Sequence, residues 1–365
     1  MSESVCPRSV RIGATIVTAA FIAALAGCGR SNSDASATEP NATGTTTPPA
    51  DPRGQLSAVN DVGIVSKDQS DANATAENVI ALTGPALCDV RVQQLVHRTV
   101  GPRNEPAMNS AALLTPRGPG CNGPFPLLAY ARGTSKDRSR TLASTTDRET
   151  LIIINYFAAR GYVVVATDYL GYGASDFSYH PYLHAGSEAT SVIDSIRAAR
   201  SALRSAAVAT TDLVFLTGYS QGGHAALAAQ REIERTSNSD ITLAAVGAMS
   251  GPYDLALTLE TAPRSLLPSL GNEPPNPSRR IRIELVNLLG EIAGLFVDID
   301  PIKDALARES VIDFKPAAPV LLCGGSRDPT VPFANSTRAL AAFSGTRTTL
   351  VDIEQEPAFA SRRPA

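Results

Sequence analysis

A serine at the tip of Gly218-Tyr219-Ser220-Gln221-Gly222 is the residue of this 365-residue chain best placed to do chemistry. It follows the apolar run Leu213-Val214-Phe215-Leu216 and precedes the helix-forming stretch Gly223-His224-Ala225-Ala226-Leu227-Ala228-Ala229. Strand, sharp turn and helix in that order make a nucleophile elbow: the hydroxyl stands at the tip, and the glycines let strand and helix approach where a side chain would collide. A serine so presented needs an acid and then a histidine base later in the chain. Asp328 follows the apolar run Pro319-Val320-Leu321-Leu322-Cys323 and supplies an acid. The four histidines, His97, His180, His184 and His224, all precede it.

The flanking pattern says what must hold these residues. Strands are predicted over 88–100, 110–115, 126–130, 162–167, 213–216, 241–249, 319–323 and 348–353, and helices over 148–160, 188–203, 223–229 and 334–343. From about residue 125 onward strand and helix alternate, and the strands are continuously apolar, which indicates a mainly parallel sheet covered by helices on both faces. Between Gly251 and Pro316 the rhythm breaks. That stretch contains Arg282 to Phe296, apolar at Ile283, Leu285, Val286, Leu288, Leu289, Ile292 and Leu295. It reads as a helix buried on most sides, within a cap inserted at about 252–316 over the carboxyl ends of the strands, where open α/β sheets place their ligands.

Composition narrows the classes of partner. A net charge of −3 and a pI near 5.9 exclude nucleic acid as the expected partner. Aromatic residues make up 5% of the chain and tryptophan is absent, which gives no support to a sugar-stacking platform. At the N-terminus, Arg8 and Arg11 precede an uncharged apolar run, Ile12 to Ala26, too short for a comfortable membrane span. This is a processing signal, residues 1–27. Residues 28–55, rich in Ser, Thr, Asn, Ala and Pro, cannot bury enough apolar surface to fold and read as a flexible tether. Residues 56–365 then form a single catalytic domain with its cap. Beyond Cys6 and Cys28 there remain Cys88, Cys121 and Cys323. Cys88 and Cys121 are candidates for a disulfide in an oxidising compartment, with three buried thiols as the alternative.

Four stretches together resemble an α/β-hydrolase of the secretory lipase type. They are the elbow with His224-Ala225-Ala226, Asp168-Tyr169-Leu170-Gly171-Tyr172-Gly173, His180-Pro181-Tyr182-Leu183, and Gly324-Gly325-Ser326-Arg327-Asp328-Pro329-Thr330-Val331-Pro332. The resemblance runs from about Val59 to Asp352. It implies Ser220 as nucleophile and Asp328 as the acid that orients a histidine, with Asp352 and Asp313 less convincing. It also implies an oxyanion hole built from the backbone N–H of Gln221 and a second N–H after the strand at 127–130, where Thr134 is the candidate. Relatives commonly read His-Gly-x there, and this chain has Arg132-Gly133-Thr134. The run Leu25-Ala26-Gly27-Cys28 resembles a bacterial lipobox, which implies a lipid on Cys28 and, with Gly29 after it, an outer-membrane location in the cell envelope.

The function expected is hydrolysis of carboxylic esters, small-molecule or lipid, through an acyl-serine intermediate, with no cofactor and no metal. A serine peptidase on the same fold, or a catalytically dead lipoprotein that binds lipid or peptide, is the alternative. The base is the difficulty, because in this fold it lies beyond the last strand and residues 354–365 contain none. C-terminal truncation or frameshift, a true pseudoenzyme, and takeover by His180 or His184 as substitute base all account for this. The first is preferred, so the polypeptide as written is expected to be inactive or nearly so. His224, one turn past the serine, is expected to pack under the elbow.

Overall fold

The computed structural model describes residues 53–236, 240–258 and 300–356, with the side chains of 300–303 left aside. The expected signal at 1–27, Cys28, the tether up to residue 52, the apolar helix at 282–296 and most of the 252–316 cap lie outside the described residues. Among the described residues no helix is long and apolar enough to cross a membrane.

Nine strands form one sheet: β1 (Leu56–Val65), β2 (Asp89–Val100), β3 (Pro106–Arg117), β4 (Phe125–Ala131), β5 (Val163–Thr167), β6 (Thr210–Tyr219), β7 (Thr242–Met249), β8 (Val320–Gly324) and β9 (Thr348–Asp352). Their order is β1-β2-β3-β5-β4-β6-β7-β8-β9. The first three strands and β5 pair antiparallel, and every pair from β5 to β9 is parallel. Helices are α1 (Lys67–Ala76), α2 (Ile80–Thr83), α3 (Arg148–Tyr156), α4 (Ala185–Ser205), α5 (Gln221–Arg235), α6 (Asp300–Glu309) and α7 (Ala334–Ala342).

Local sequence accounts for most of these elements. The five residues Val163-Val164-Val165-Ala166-Thr167 are all buried, as a central parallel strand covered on both faces must be. Asp147 caps α3 by accepting the Thr150 N–H, and the helix then ends in a 3₁₀ turn over Ala158–Arg160, closed by Gly161 in the left-handed region at φ 92°. One core packs α4, α5 and α7 against the sheet through residues such as Val192, Ile196, Leu227 and Ala339. A second core, with Ile153 and Ile154 of α3, fills the opposite face over β2 to β5. Helices on both faces of a mainly parallel sheet, with β6 beside the central strand β4, put the carboxyl end of β6 where a ligand can reach it.

Two elements differ from expectation. The ten-residue β1 had no counterpart in the sequence reading, because most of its positions are exposed or half-buried and its pattern does not alternate cleanly. Strand β3 is twice the length read from Ser110 to Thr115; it runs to Arg117 in unbroken register with β2. Between them, the Sγ atoms of Cys88 and Cys121 are bonded, tying the entry of β2 to the turn after β3. Cys323 is a free, half-buried thiol on β8.

Candidate active site

Ser220 sits between β6 and α5 at φ 57° and ψ −120°. A non-glycine residue gains nothing locally from that conformation, so the surroundings must impose it. They do so through backbone contacts. The Ser220 N–H donates to Met249 O at the end of β7 at 2.9 Å, and its carbonyl accepts from Gly223 N at 2.8 Å. The glycines are obligatory for closeness: a Cβ on Gly222 would lie 1.9 Å from Ala131 O, and one on Gly218 would lie 2.2 Å from Gly222 O. Strand β4, the turn and α5 therefore touch backbone to backbone. Ser220 is half-buried and Tyr219 beside it is 52% exposed.

The segment after β4 lies directly against the elbow, since a Cβ on Gly133 would come within 3.5 Å of Tyr219 O. Gly133 N–H is committed to Glu149 Oε1 at 2.9 Å, and the same oxygen accepts from Tyr130 Oη at 3.0 Å. The backbone N–H groups of Thr134 and Gln221 make no hydrogen bond among the described residues, which leaves both available to a ligand. Thr134 Oγ1 is joined to Tyr182 Oη at 2.9 Å. Behind the loop, Arg132 is fully buried over the Tyr172 ring, 4.7 Å from its centroid, with Nη1 3.9 Å from Asp168 Oδ1. Asp168 in turn accepts from Ser110 Oγ, Thr141 Oγ1 and Leu142 N. Burial raises its carboxyl above the ordinary range, against the pull of Arg132.

Asp328 occupies the turn after β8. Its Oδ1 accepts from Thr330 N at 2.8 Å and Val331 N at 3.1 Å, while Oδ2 has no partner among the described residues. The Tyr219 hydroxyl is raised in pKa by burial and then by the charges of Asp328 and Glu149, which places Asp328 in electrostatic reach of the residue next to Ser220. Asp352 instead ties Ser326 N and Glu354 N at the end of β9, and Asp313 pairs with Arg231 and Arg235.

None of the four histidines hydrogen-bonds Ser220 among the described residues. His180 lies among Tyr169, Tyr172 and Tyr182, with ring centroids 5.7, 4.6 and 5.9 Å away. Its Nδ1 donates to Leu170 O at 2.9 Å, and its Nε2 accepts from Gln221 Nε2 at 2.7 Å. Burial keeps its pKa below the usual imidazole value, consistent with the neutral ring those partners require. His184 caps α4, accepting the Ser187 N–H on Nδ1 at 3.0 Å. His224 is fully buried under the elbow, with Nδ1 2.6 Å from Glu188 Oε2 and Nε2 donating to Glu309 O at 2.7 Å. His97, on β2, is buried with no partner for either nitrogen among the described residues, and burial lowers its pKa to about 4.

Glu188 was missed by the sequence reading. It is 1% exposed on α4, three residues after Ala185 and four before Val192, positions that both face the core. A carboxylate on the apolar stripe of a helix is the signal that could have found it. No group of histidine, cysteine and carboxylate side chains among the described residues could hold a metal ion.

Residues 135–263 match the secretory lipase family. Over 83% of this chain and 91% of the other, the fold superposes with a TM-score of 0.70 and 32% identity on the rice cell wall degrading esterase LipA from Xanthomonas oryzae. Lipase A of Candida antarctica is similar at 18% identity and a TM-score of 0.54, over 82% of this chain and 76% of that one, and supports the fold alone. No curated protein matches the sequence.

Proposed function

Because the chain belongs to the secretory lipase family of α/β-hydrolases and is by family a carboxylic ester hydrolase, we propose that it works through an acyl-enzyme on Ser220. The observation that carries this reading is the Ser220 backbone, held at φ 57° by β7 and by three glycines packed on main chain. Ser220 Oγ attacks the ester carbonyl, the carbonyl oxygen becomes an anion, and the N–H groups of Gln221 and Thr134 receive it. The alcohol leaves with a proton, and water then attacks acyl-Ser220 to release the acid. Asp328, with Oδ2 open, is the group that would orient a histidine and stabilise its cation.

A base completes this set; both ring nitrogens of His180 are engaged elsewhere, and His184, whose Nδ1 caps α4 and whose Nε2 lies 3.9 Å from Glu309 Oε1, makes no hydrogen bond to Ser220 among the described residues. Turnover by this polypeptide is therefore expected to be slow, resting on binding and oxyanion stabilisation. The substrates to assay first are lipid esters and, because LipA degrades rice cell wall, esters of plant wall polymers. As a member of a secretory family the protein is secreted or envelope-associated, and we infer attachment to the outer membrane through a lipid on Cys28, facing the periplasm or the exterior.

Labelling with a fluorophosphonate tests the reading. A mass-spectrometric adduct on Ser220 is expected in the wild type and in a His180→Ala, His184→Ala double variant, and none in Ser220→Ala. Loss of labelling in the double variant would restore one of those histidines as base. Lipid on Cys28 is checked by metabolic labelling with an alkyne fatty acid, which Cys28→Ser must abolish.

A further inference from the structure

We propose that Glu188 is the positioning residue for both N–H donors of the oxyanion hole. The inference rests on the Ser220 reading above. One oxygen of its carboxylate reaches one donor residue directly and the chain segment that holds the other: Oε1 accepts from Gln221 Nε2 at 2.7 Å and from Leu183 N at 3.1 Å. Gln221 carries the first donor on its own backbone. Leu183 is bonded to Tyr182, whose hydroxyl holds Thr134 Oγ1 at 2.9 Å, and Thr134 carries the second.

Two further observations say that this connection is imposed. Leu183 stands at φ 55°, a conformation a leucine adopts only when its surroundings require it, and the N–H so aimed is the one Glu188 receives. The other carboxylate oxygen is also engaged, by His224 at 2.6 Å. His224 Nε2 donates to the carbonyl of Glu309, so both ring nitrogens of His224 are engaged. Glu309 Oε2 accepts the Ala185 N–H at the start of α4, closing the ring of contacts back on the helix that bears Glu188. His180, wedged among three tyrosines, holds Gln221 from the other side. The donors themselves stay free while everything behind them is tied, which is the arrangement that oxyanion stabilisation needs.

Paired fluorophosphonates that differ only in P=O against P=S separate positioning from general stability, because sulfur is the weaker acceptor for the two N–H groups. Adduct formation at Ser220 is followed by mass spectrometry, so catalytic turnover is not required. Glu188→Leu and Gln221→Ala should slow the P=O reagent by about tenfold or more and the P=S reagent by less than about threefold, a fraction of what deleting a donor costs. Glu188→Gln should keep wild-type rates with both, since its amide oxygen still accepts from Gln221 and Leu183. Should Glu188→Leu fail to fold by circular dichroism, Gln221→Ala carries the comparison. Equal slowing of both reagents, no slowing, or a Glu188→Gln protein as slow as Glu188→Leu overturns the proposal. Adduct on Ser220→Ala, or none on the wild type, overturns the serine reading and this inference with it.

Discussion

His97 shows what a single side chain can do to the whole chain's pH response. Its ring titrates near 6.5 when solvated and near 4 in the fold, where neither nitrogen finds a partner among the described residues. Between those values the unfolded chain binds more protons, so stability is full above pH 6.5, falls as pH drops, and levels off below about 4. The loss over that window amounts to roughly 3 kcal/mol. Denaturation midpoints of the wild type and His97→Leu, compared from pH 7 down to 5, should converge as the wild type weakens. Parallel curves would show that the ring finds a partner when it charges. Residue types alone gave no such account of the histidines. Four imidazoles were visible in the sequence, but that His180 and His224 spend both nitrogens on buried partners depends on α4 and α5 lying side by side.

At the scale of elements, the contact between β4 and α5 is the most constrained in the site. Gly222→Ala would place a Cβ 1.9 Å from Ala131 O and 2.9 Å from Arg132 O, backbone atoms of the last residue of β4 and the first residue after it, on the way to Thr134. Neither can swing aside as a side chain could. The variant should lose about 3 kcal/mol or more, or fail to fold, as read by urea denaturation. Gly247→Ala is the control: its nearest neighbour is the Thr217 side chain at 3.2 Å, and its cost should be small. The elbow, β5, α4 and α5 were legible in sequence because apolar runs and turn residues coincide there. Strand β1 was not, since its exposure pattern is that of an outer strand paired on one side only, and such a strand needs no apolar alternation.

For the molecule as a whole, sheet order and helix placement bring Ser220, the free N–H groups of Gln221 and Thr134 and the Asp328 carboxylate to one end of the sheet, and among the described residues no histidine hydrogen-bonds Ser220; on the proposed reading the base is still to be supplied. Free imidazole should therefore accelerate phosphonylation of Ser220 in the wild type, by up to about 10²-fold at saturating concentration, the lower end of what a positioned base contributes. It should do nothing for Ser220→Ala. Failure of imidazole to help would mean that Ser220 already has a base, or that its hydroxyl is closed off. How the two ends of the site would be completed was only half legible from sequence. Ser220 and Asp328 are marked by turns with their own chemistry, whereas Glu188 and Tyr182 join the site through contacts between distant segments that no local pattern announces.

The tyrosine cage around His180 has an optical consequence. The chain has nine tyrosines and no tryptophan, and three of those tyrosines, Tyr169, Tyr172 and Tyr182, are locked around one ring beside Gln221. Immobilised rings dominate near-ultraviolet circular dichroism, and here no indole band covers them. The protein thus carries a built-in spectroscopic reporter of its oxyanion loop, readable without any label.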